Sequence, residues 1–210
     1  MTRLPFVGSE DIKRALGAAA EVVAAGGVIL IPTESHYGLG VDPRQPDAVA
    51  VVYSLKGRPG GQALPVVCSD WEQVDSLVDV HPMHRVKLAR VWPAALTVVA
   101  PCRTAVAASS TDTLAVRIPD SDRLRALLYR VGPLTATSAN GHGEPPSPSV
   151  EGALGSLRGV PDLVLDGGIL AGGAVSTLLD LSSEEAHEIR SGPVVWDEPL
   201  DLEKWVLQEG

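Results

Sequence analysis

Residues 28–40 read VILIPTESHYGLG. Val28, Ile29, Leu30 and Ile31 form a short apolar, largely β-branched run, which predicts a buried strand ended by Pro32. A plain turn after it would need only Gly38 and Gly40. Instead Thr33, Glu34, Ser35, His36 and Tyr37 intervene. Five polar or amphipathic side chains at the end of a buried strand read as the wall of a site. Strand ends are where open α/β sheets hold ligands.

Working upstream, Ser9 is placed to cap a helix, with Glu10 and Asp11 in its first turn. Ile12, Leu16, Ala19 and Val23 recur at helical spacing, and Gly26-Gly27 ends the helix. Downstream, a helix is expected over 47–55, running into the basic, glycine-rich loop Lys56-Gly57-Arg58-Pro59-Gly60-Gly61. A strand over 64–68 follows, then a Ser69/Glu72 capping box before a helix through Leu77. Further helices are expected over 84–91, 122–131 and 150–157. Further strands are expected over 97–99, 114–118, 134–137, 163–165, 176–181 and 188–190. Residues 141–148 are rich in Gly, Pro and Ser and read as a loop. The tail 196–210 is acidic, with Leu202, Trp205 and Val206 spaced for a short helix. Several strands lack an intervening helix. The expected fold is therefore α/β with a mixed, twisted sheet flanked by helices around a concave cleft. No internal repeat or long linker divides the chain, so a single domain over 1–210 is expected.

Composition excludes several classes of function. The 210 residues are 45% hydrophobic, and only 4% are aromatic, which suits a core of parallel strands buried on both faces. The net charge of −9 argues against coating nucleic acid by bulk charge. Any polyanionic ligand must meet a local concentration of basic residues. Cys68 and Cys102 lack metal-type spacing and are expected as reduced, buried thiols. The amino-terminal residues lack the apolar segment of a signal peptide, and no stretch approaches the ~20 apolar residues of a membrane span. A soluble, cytoplasmic protein is expected.

Polar clusters interrupt the core at element ends: Thr33 to Tyr37, Lys56 to Arg58, Arg117, Thr137 to Asn140, Ser176-Thr177 and Arg190. Lys as a compact charge and Arg as a planar fork suit phosphate or carboxylate. Each cluster alone has a plainer reading. Lys56 and Arg58 read equally as solvated surface charges, and Ser138-Ala139-Asn140 as an ordinary turn. Arg117 could pair with Asp120 or Asp122, and His36 could be a structural histidine. No Ser-His-Asp or Cys-His pairing stands out, and the 57–61 loop lacks the Gly-Lys-Ser/Thr ending of a Walker motif.

Taken in order, PTESHYGLG, KGRP, AVRIPD, TSANGHGEPPSP and STLLDL…IRSG resemble the YrdC-like family of threonylcarbamoyl-adenylate synthases. The resemblance runs from about Ile12 to Pro193. It implies the short form of that family, without an added C-terminal domain. It implies an enzyme, a nucleotidyltransferase that condenses L-threonine, bicarbonate and ATP to threonylcarbamoyl-AMP and pyrophosphate. The product would feed N6-threonylcarbamoylation of adenosine 37 in tRNA, so downstream threonylcarbamoyl-transfer proteins are implied partners. Carried over by position, Thr33, Arg117 and Ser176 would hold threonine. Lys56, Arg58, Gln62, Thr113, Ser138, Asn140 and Arg190 would hold the nucleotide, with Lys56 and Arg58 acting in catalysis. Magnesium is expected with ATP, although no carboxylate pair marks a protein-built metal site. Departures from the family pattern border the expected threonine pocket: Ser35-His36 for Thr-Val, Val67 for a histidine, and Ala94 for a glycine. An RNA-binding module, with weak RNA binding through a concave basic face, and a divergent paralogue using another substrate are the competing readings.

Overall fold

The computed structural model describes residues 1–141 and 143–196. The chain begins with β1 (Thr2–Pro5), α1 (Ser9–Ala24), β2 (Ile29–Pro32), β3 (Tyr37–Gly40) and α2 (Pro46–Lys56). Next come β4 (Val66–Val67), α3 (Trp71–Asp75), α4 (Pro82–Val91), β5 (Leu96–Pro101) and β6 (Thr113–Arg117). Then follow α5 (Asp122–Val131), β7 (Leu134–Thr135), β8 (Thr137–Ser138) and α6 (Val150–Gly155). The last strands are β9 (Leu163–Asp166), β10 (Thr177–Asp180) and β11 (His187–Arg190). The tail helix expected around 202–206 lies outside the described residues.

The architecture is α/β with mixed pairing, and the strands divide between two sheets. One has the order β1-β9-β2-β3-β8, the other β11-β10-β5-β6-β4-β7. In the first, β1, β9 and β2 run parallel, while β3 turns back antiparallel on β2 and pairs with β8. In the second, β5 and β6 form an antiparallel pair, flanked by parallel neighbours β10 and β4.

The apolar run at 28–31 has its explanation here. Strand side chains alternate between faces. Val28 and Leu30 enter a core shared with β5, β6 and α2, whereas Ile29 and Ile31 enter a second core with α1, α5, β1 and β9. A strand buried on both faces needs no polar alternation. On α1, Ala15, Ala19 and Val23 are buried at one-turn spacing, and Ile12 and Leu16 pack partly beside them. On α5, Leu124, Leu127 and Leu128 face the same core, and the Ser121 hydroxyl caps the helix by accepting from the Leu124 N–H at 3.3 Å.

Several expectations are corrected. Tyr37–Gly40, to which the sequence reading assigns no element, is a buried strand of its own. Its glycines serve close packing: a Cβ on Gly38 would lie 3.3 Å from the Thr137 carbonyl oxygen of the next strand. The cap of α1 is Gly8, with Ser9 already helical. The cap of α3 is Asp70, whose carboxylate accepts from the Gln73 N–H at 3.0 Å, and not Ser69 with Glu72. The 134–137 strand is two short strands in different sheets, and β1 went unforeseen because Pro5 and charged Arg3 obscured it. Cys68 is buried, but Cys102 is only partly so. Among the described residues no helix is long and apolar enough to cross a membrane.

Candidate active site between the sheets

A cavity of about 530 Å³ opens where the strand ends of the two sheets meet, within the usual size of a small-molecule site. Thr33, Ser35, His36 and Tyr37 line it from the β2–β3 turn, and Ser138 from β8. Arg117 reaches it from the end of β6, Ser176 from the start of β10, and Arg190 from the end of β11. Arg58 enters from the loop after α2. Thus six of the expected ligand residues, Thr33, Arg58, Arg117, Ser138, Ser176 and Arg190, converge on one cavity from six separate chain segments.

Three guanidinium groups around one space constitute the local basic site that the acidic chain needs. Burial and the charge of Arg117 both lower the pKa of Arg190. Arg190 is held by the Ser176 carbonyl, to which Nε and Nη2 donate at 3.1 and 2.8 Å. The Ser176 hydroxyl shares a 2.8 Å hydrogen bond with the buried Thr97 hydroxyl. The Thr33 hydroxyl donates to the His36 carbonyl at 2.7 Å, closing the turn and leaving its oxygen free to accept. His36 Nδ1 lies 3.0 Å from the Ser35 hydroxyl, and burial lowers its pKa, so the ring favours the neutral form. Tyr37 is buried, and its hydroxyl donates to the Gly168 carbonyl at 2.7 Å while accepting from the Gly167 N–H at 3.0 Å. Its pKa is raised to about 12, chiefly by burial.

The remaining expected residues do not line the cavity. Lys56 is no surface charge: it is 4% exposed and donates from Nζ to the carbonyls of Ser138 and Asn140, the latter at 2.8 Å. Burial first, and Arg58 second, lower its pKa to about 8. The two carbonyl acceptors favour the ammonium form and oppose that fall. Lys56 therefore braces the Ser138–Asn140 turn from behind. Gln62 accepts through its side-chain oxygen from Arg58 Nε. Asn140 donates to the Gly141 and Glu144 carbonyls at 3.2 and 2.6 Å, so its amide shapes the loop. Thr113 stands at the opposite end of β6 from Arg117, about 13 Å away at the rise of a strand. Its hydroxyl lies 3.1 Å from that of Thr111.

Arg117 pairs with neither Asp120 nor Asp122 but with Glu34, whose two oxygens lie 3.2 and 3.1 Å from Nη1 and Nη2. Sequence reasoning placed Glu34 in the wall of the site without giving it a role, and missed Thr97. Glu34 lay within the quoted motif as its only full charge. Thr97 is the one hydroxyl inside the apolar run Leu96–Val99. Among the described residues no group of three or more His, Cys, Asp or Glu side chains could hold a metal ion.

Residues 21–192 match the family model Sua5–YciO–YrdC, described as "Telomere recombination". A Mycobacterium leprae protein provisionally named threonylcarbamoyl-AMP synthase is 35% identical over 188 residues, covering 87% of this chain and 86% of its own. The Bacillus subtilis threonylcarbamoyl-AMP synthase is 32% identical over 85% of this chain, which spans only 54% of that longer protein. The Pyrococcus abyssi Sua5 crystal structure, complexed with L-threonine, superposes with a TM-score of 0.81 at 29% identity. The match covers 99% of this chain and 61% of that one.

Proposed function

The chain belongs to the Sua5–YciO–YrdC family, and from that premise we propose that it is a threonylcarbamoyl-AMP synthase. It condenses L-threonine, bicarbonate and ATP, releasing pyrophosphate and water. The observation that carries this reading is the convergence of Arg58, Arg117 and Arg190 with Thr33, Ser138 and Ser176 on one cavity. Such a site suits two anionic reactants and needs no covalent nucleophile.

The threonine amine and bicarbonate give a carbamate, with loss of water. A carbamate oxygen attacks the α-phosphorus of ATP, and the bond to the β-phosphate oxygen breaks. The protein aligns the two anions and offsets their charge, so its contribution is proximity and electrostatics. Arg117 takes the threonine carboxylate, and Thr33 and Ser176 orient the amino acid. Arg58, Ser138 and Arg190 face the nucleotide, with Arg58 stabilising charge that moves onto pyrophosphate. Lys56 acts through the Ser138–Asn140 turn that it braces, and Gln62 through Arg58. No contact is assigned to Thr113. Magnesium arrives as part of the ATP substrate. The product is handed in the cytoplasm to proteins that transfer threonylcarbamoyl to tRNA.

The test is pyrophosphate release measured with ATP, bicarbonate and each amino acid in turn. Threonine is expected to give the highest kcat/KM. Release that is indifferent to threonine, or greater with another amino acid, would overturn the assignment.

A further inference from the structure

Glu34 poses a physical problem. It places a carboxylate against Arg117, which itself lines a cavity read as binding a second carboxylate and a triphosphate. By charge alone it opposes both ligands. Its geometry offers a reason for its place. Glu34 sits in the turn joining β2 to β3, in the first sheet, while Arg117 ends β6 in the second. Oε1 also accepts from the Asp120 N–H at 2.9 Å. The carboxylate is thus tied to the segment following β6 as well as to the guanidinium. Both side chains are largely buried, 21% and 13% exposed, so the pair is only weakly screened by solvent.

We propose that Glu34 is a positioning residue for amino-acid recognition, holding the Arg117 fork end-on so that its side edge receives the substrate carboxylate. The inference rests on the proposed function, in which Arg117 takes that carboxylate. A guanidinium carries five N–H donors in a planar fork. Glu34 meets the two terminal nitrogens from the end, through a hydrogen bond from Nη1 to Oε1 at 3.2 Å and an ion-pair contact of 3.1 Å between Nη2 and Oε2 that is not a hydrogen bond. Among the described residues the Nε–H makes no hydrogen bond, which leaves the edge formed by Nε and one terminal nitrogen for a second carboxylate. A bidentate contact is exacting in direction, so a fork free to rotate would lose it. Glu34 also offsets one of two neighbouring guanidiniums: burial first, and the charge of Arg117 second, lower the pKa of Arg190. Without Glu34, Arg117 and Arg190 would repel each other and Arg117 would turn away.

The test compares wild type with Glu34→Gln, and with Glu34→Asp as a charged variant one methylene too short to reach both partners. Thermal unfolding serves as the folding control. The expected result is a threonine KM raised about tenfold or more in Glu34→Gln, with the ATP KM within about twofold, because the lost contact serves one substrate only. Glu34→Asp should fall between the two. Nitrogen-15 NMR of the Arg117 guanidinium without substrate should show faster rotation of the terminal groups in both variants. A threonine KM that is unchanged in a folded variant would overturn the inference. So would a lowered one, which would mark Glu34 as a competitor for the fork. Equal rises for both substrates would reduce Glu34 to a structural tie between sheets. Wild type lacking threonine-dependent release would instead bring down the proposed function, and this inference with it.

Discussion

At the residue scale, Arg58 and Lys56 show how one short motif serves two physical ends. Arg58 lines the cavity, while Lys56 turns back into the protein and holds a neighbouring turn. Arg58→Ala should lower turnover by on the order of 10²-fold, the scale seen when a preorganised electrostatic contact is lost. Stability should change by no more than about 0.5 kcal/mol. Pyrophosphate release alongside circular dichroism checks both, and near-normal turnover in a folded variant would remove Arg58 from the chemistry. Lys56 titrates near 8, below its ordinary value of 10.5. Below pH 8 the folded and unfolded chains both carry the proton, and the folded chain bears the full burial penalty. Between about 8 and 10.5 only the folded chain has released it, so this group's contribution to stability becomes less unfavourable as pH rises. Activity should move the other way, since the neutral amine holds the Ser138 and Asn140 carbonyls less firmly. The expected outcome is a kcat/KM for ATP that bends downward near pH 8, while the urea midpoint does not fall over the same step. In Lys56→Met that bend should vanish.

At the element scale, the site depends on how the segment after β11 lies against β10. Gly192 packs so closely there that a Cβ would sit 2.3 Å from the Thr177 nitrogen and 2.8 Å from the Ser176 carbonyl carbon. These are backbone atoms, so the chain itself would have to move. Thr177 normally staples this crossing: its hydroxyl donates to the Val194 carbonyl at 2.7 Å and accepts from the Val194 N–H at 3.0 Å. Gly192→Ala should therefore lower stability by about 1–3 kcal/mol, as overpacking does, and raise the threonine KM by displacing Ser176. Gly17→Ala is the control: it lies within α1 with nothing inside 4 Å of its would-be Cβ, and should add about 0.5–1 kcal/mol. Urea unfolding of both variants checks the contrast, and equal shifts would refute it. Elements were legible in the sequence where one local pattern determined them. The apolar run of β2 and the amphipathic turns of α5 stand where their spacing placed them. Strand β3 was not legible, because Gly38 and Gly40 signal a turn locally and only tertiary neighbours explain them, the β8 backbone beside Gly38 and the Ile29, Ile31 and Leu134 side chains beside Gly40. The basic and hydroxyl members of the site could be read as charges at strand ends. The Glu34–Arg117 pair could not, since its partners lie 83 residues apart and meet only where two sheets cross.

At the scale of the whole molecule, a chain of net charge −9 surrounds a cleft of three arginines. These two fields act over different ranges. At physiological ionic strength charges are screened beyond about 8 Å, so a small ligand inside the cleft feels the arginines far more than the acidic exterior. A tRNA cannot enter a cavity of about 530 Å³ and must lie along the exterior instead. Nucleic-acid binding draws its general affinity from many phosphate contacts, each releasing counterions, and an acidic surface supplies few of these. The enzyme reading and the RNA-binding reading therefore separate in a single titration. Filter binding or fluorescence anisotropy with unmodified tRNA at about 0.15 M salt should show a Kd weaker than the 10⁻⁴–10⁻⁶ M typical of non-specific binding proteins. Lowering the salt lengthens the reach of the acidic exterior, so binding should gain less than it does for a basic protein. ATP, by contrast, should bind more weakly as salt rises above 0.15 M, because its phosphates meet the arginines at close quarters. Micromolar tRNA binding with a steep salt slope, persisting after the cleft is blocked by ATP, would identify a basic face outside the cavity and restore the RNA-binding reading.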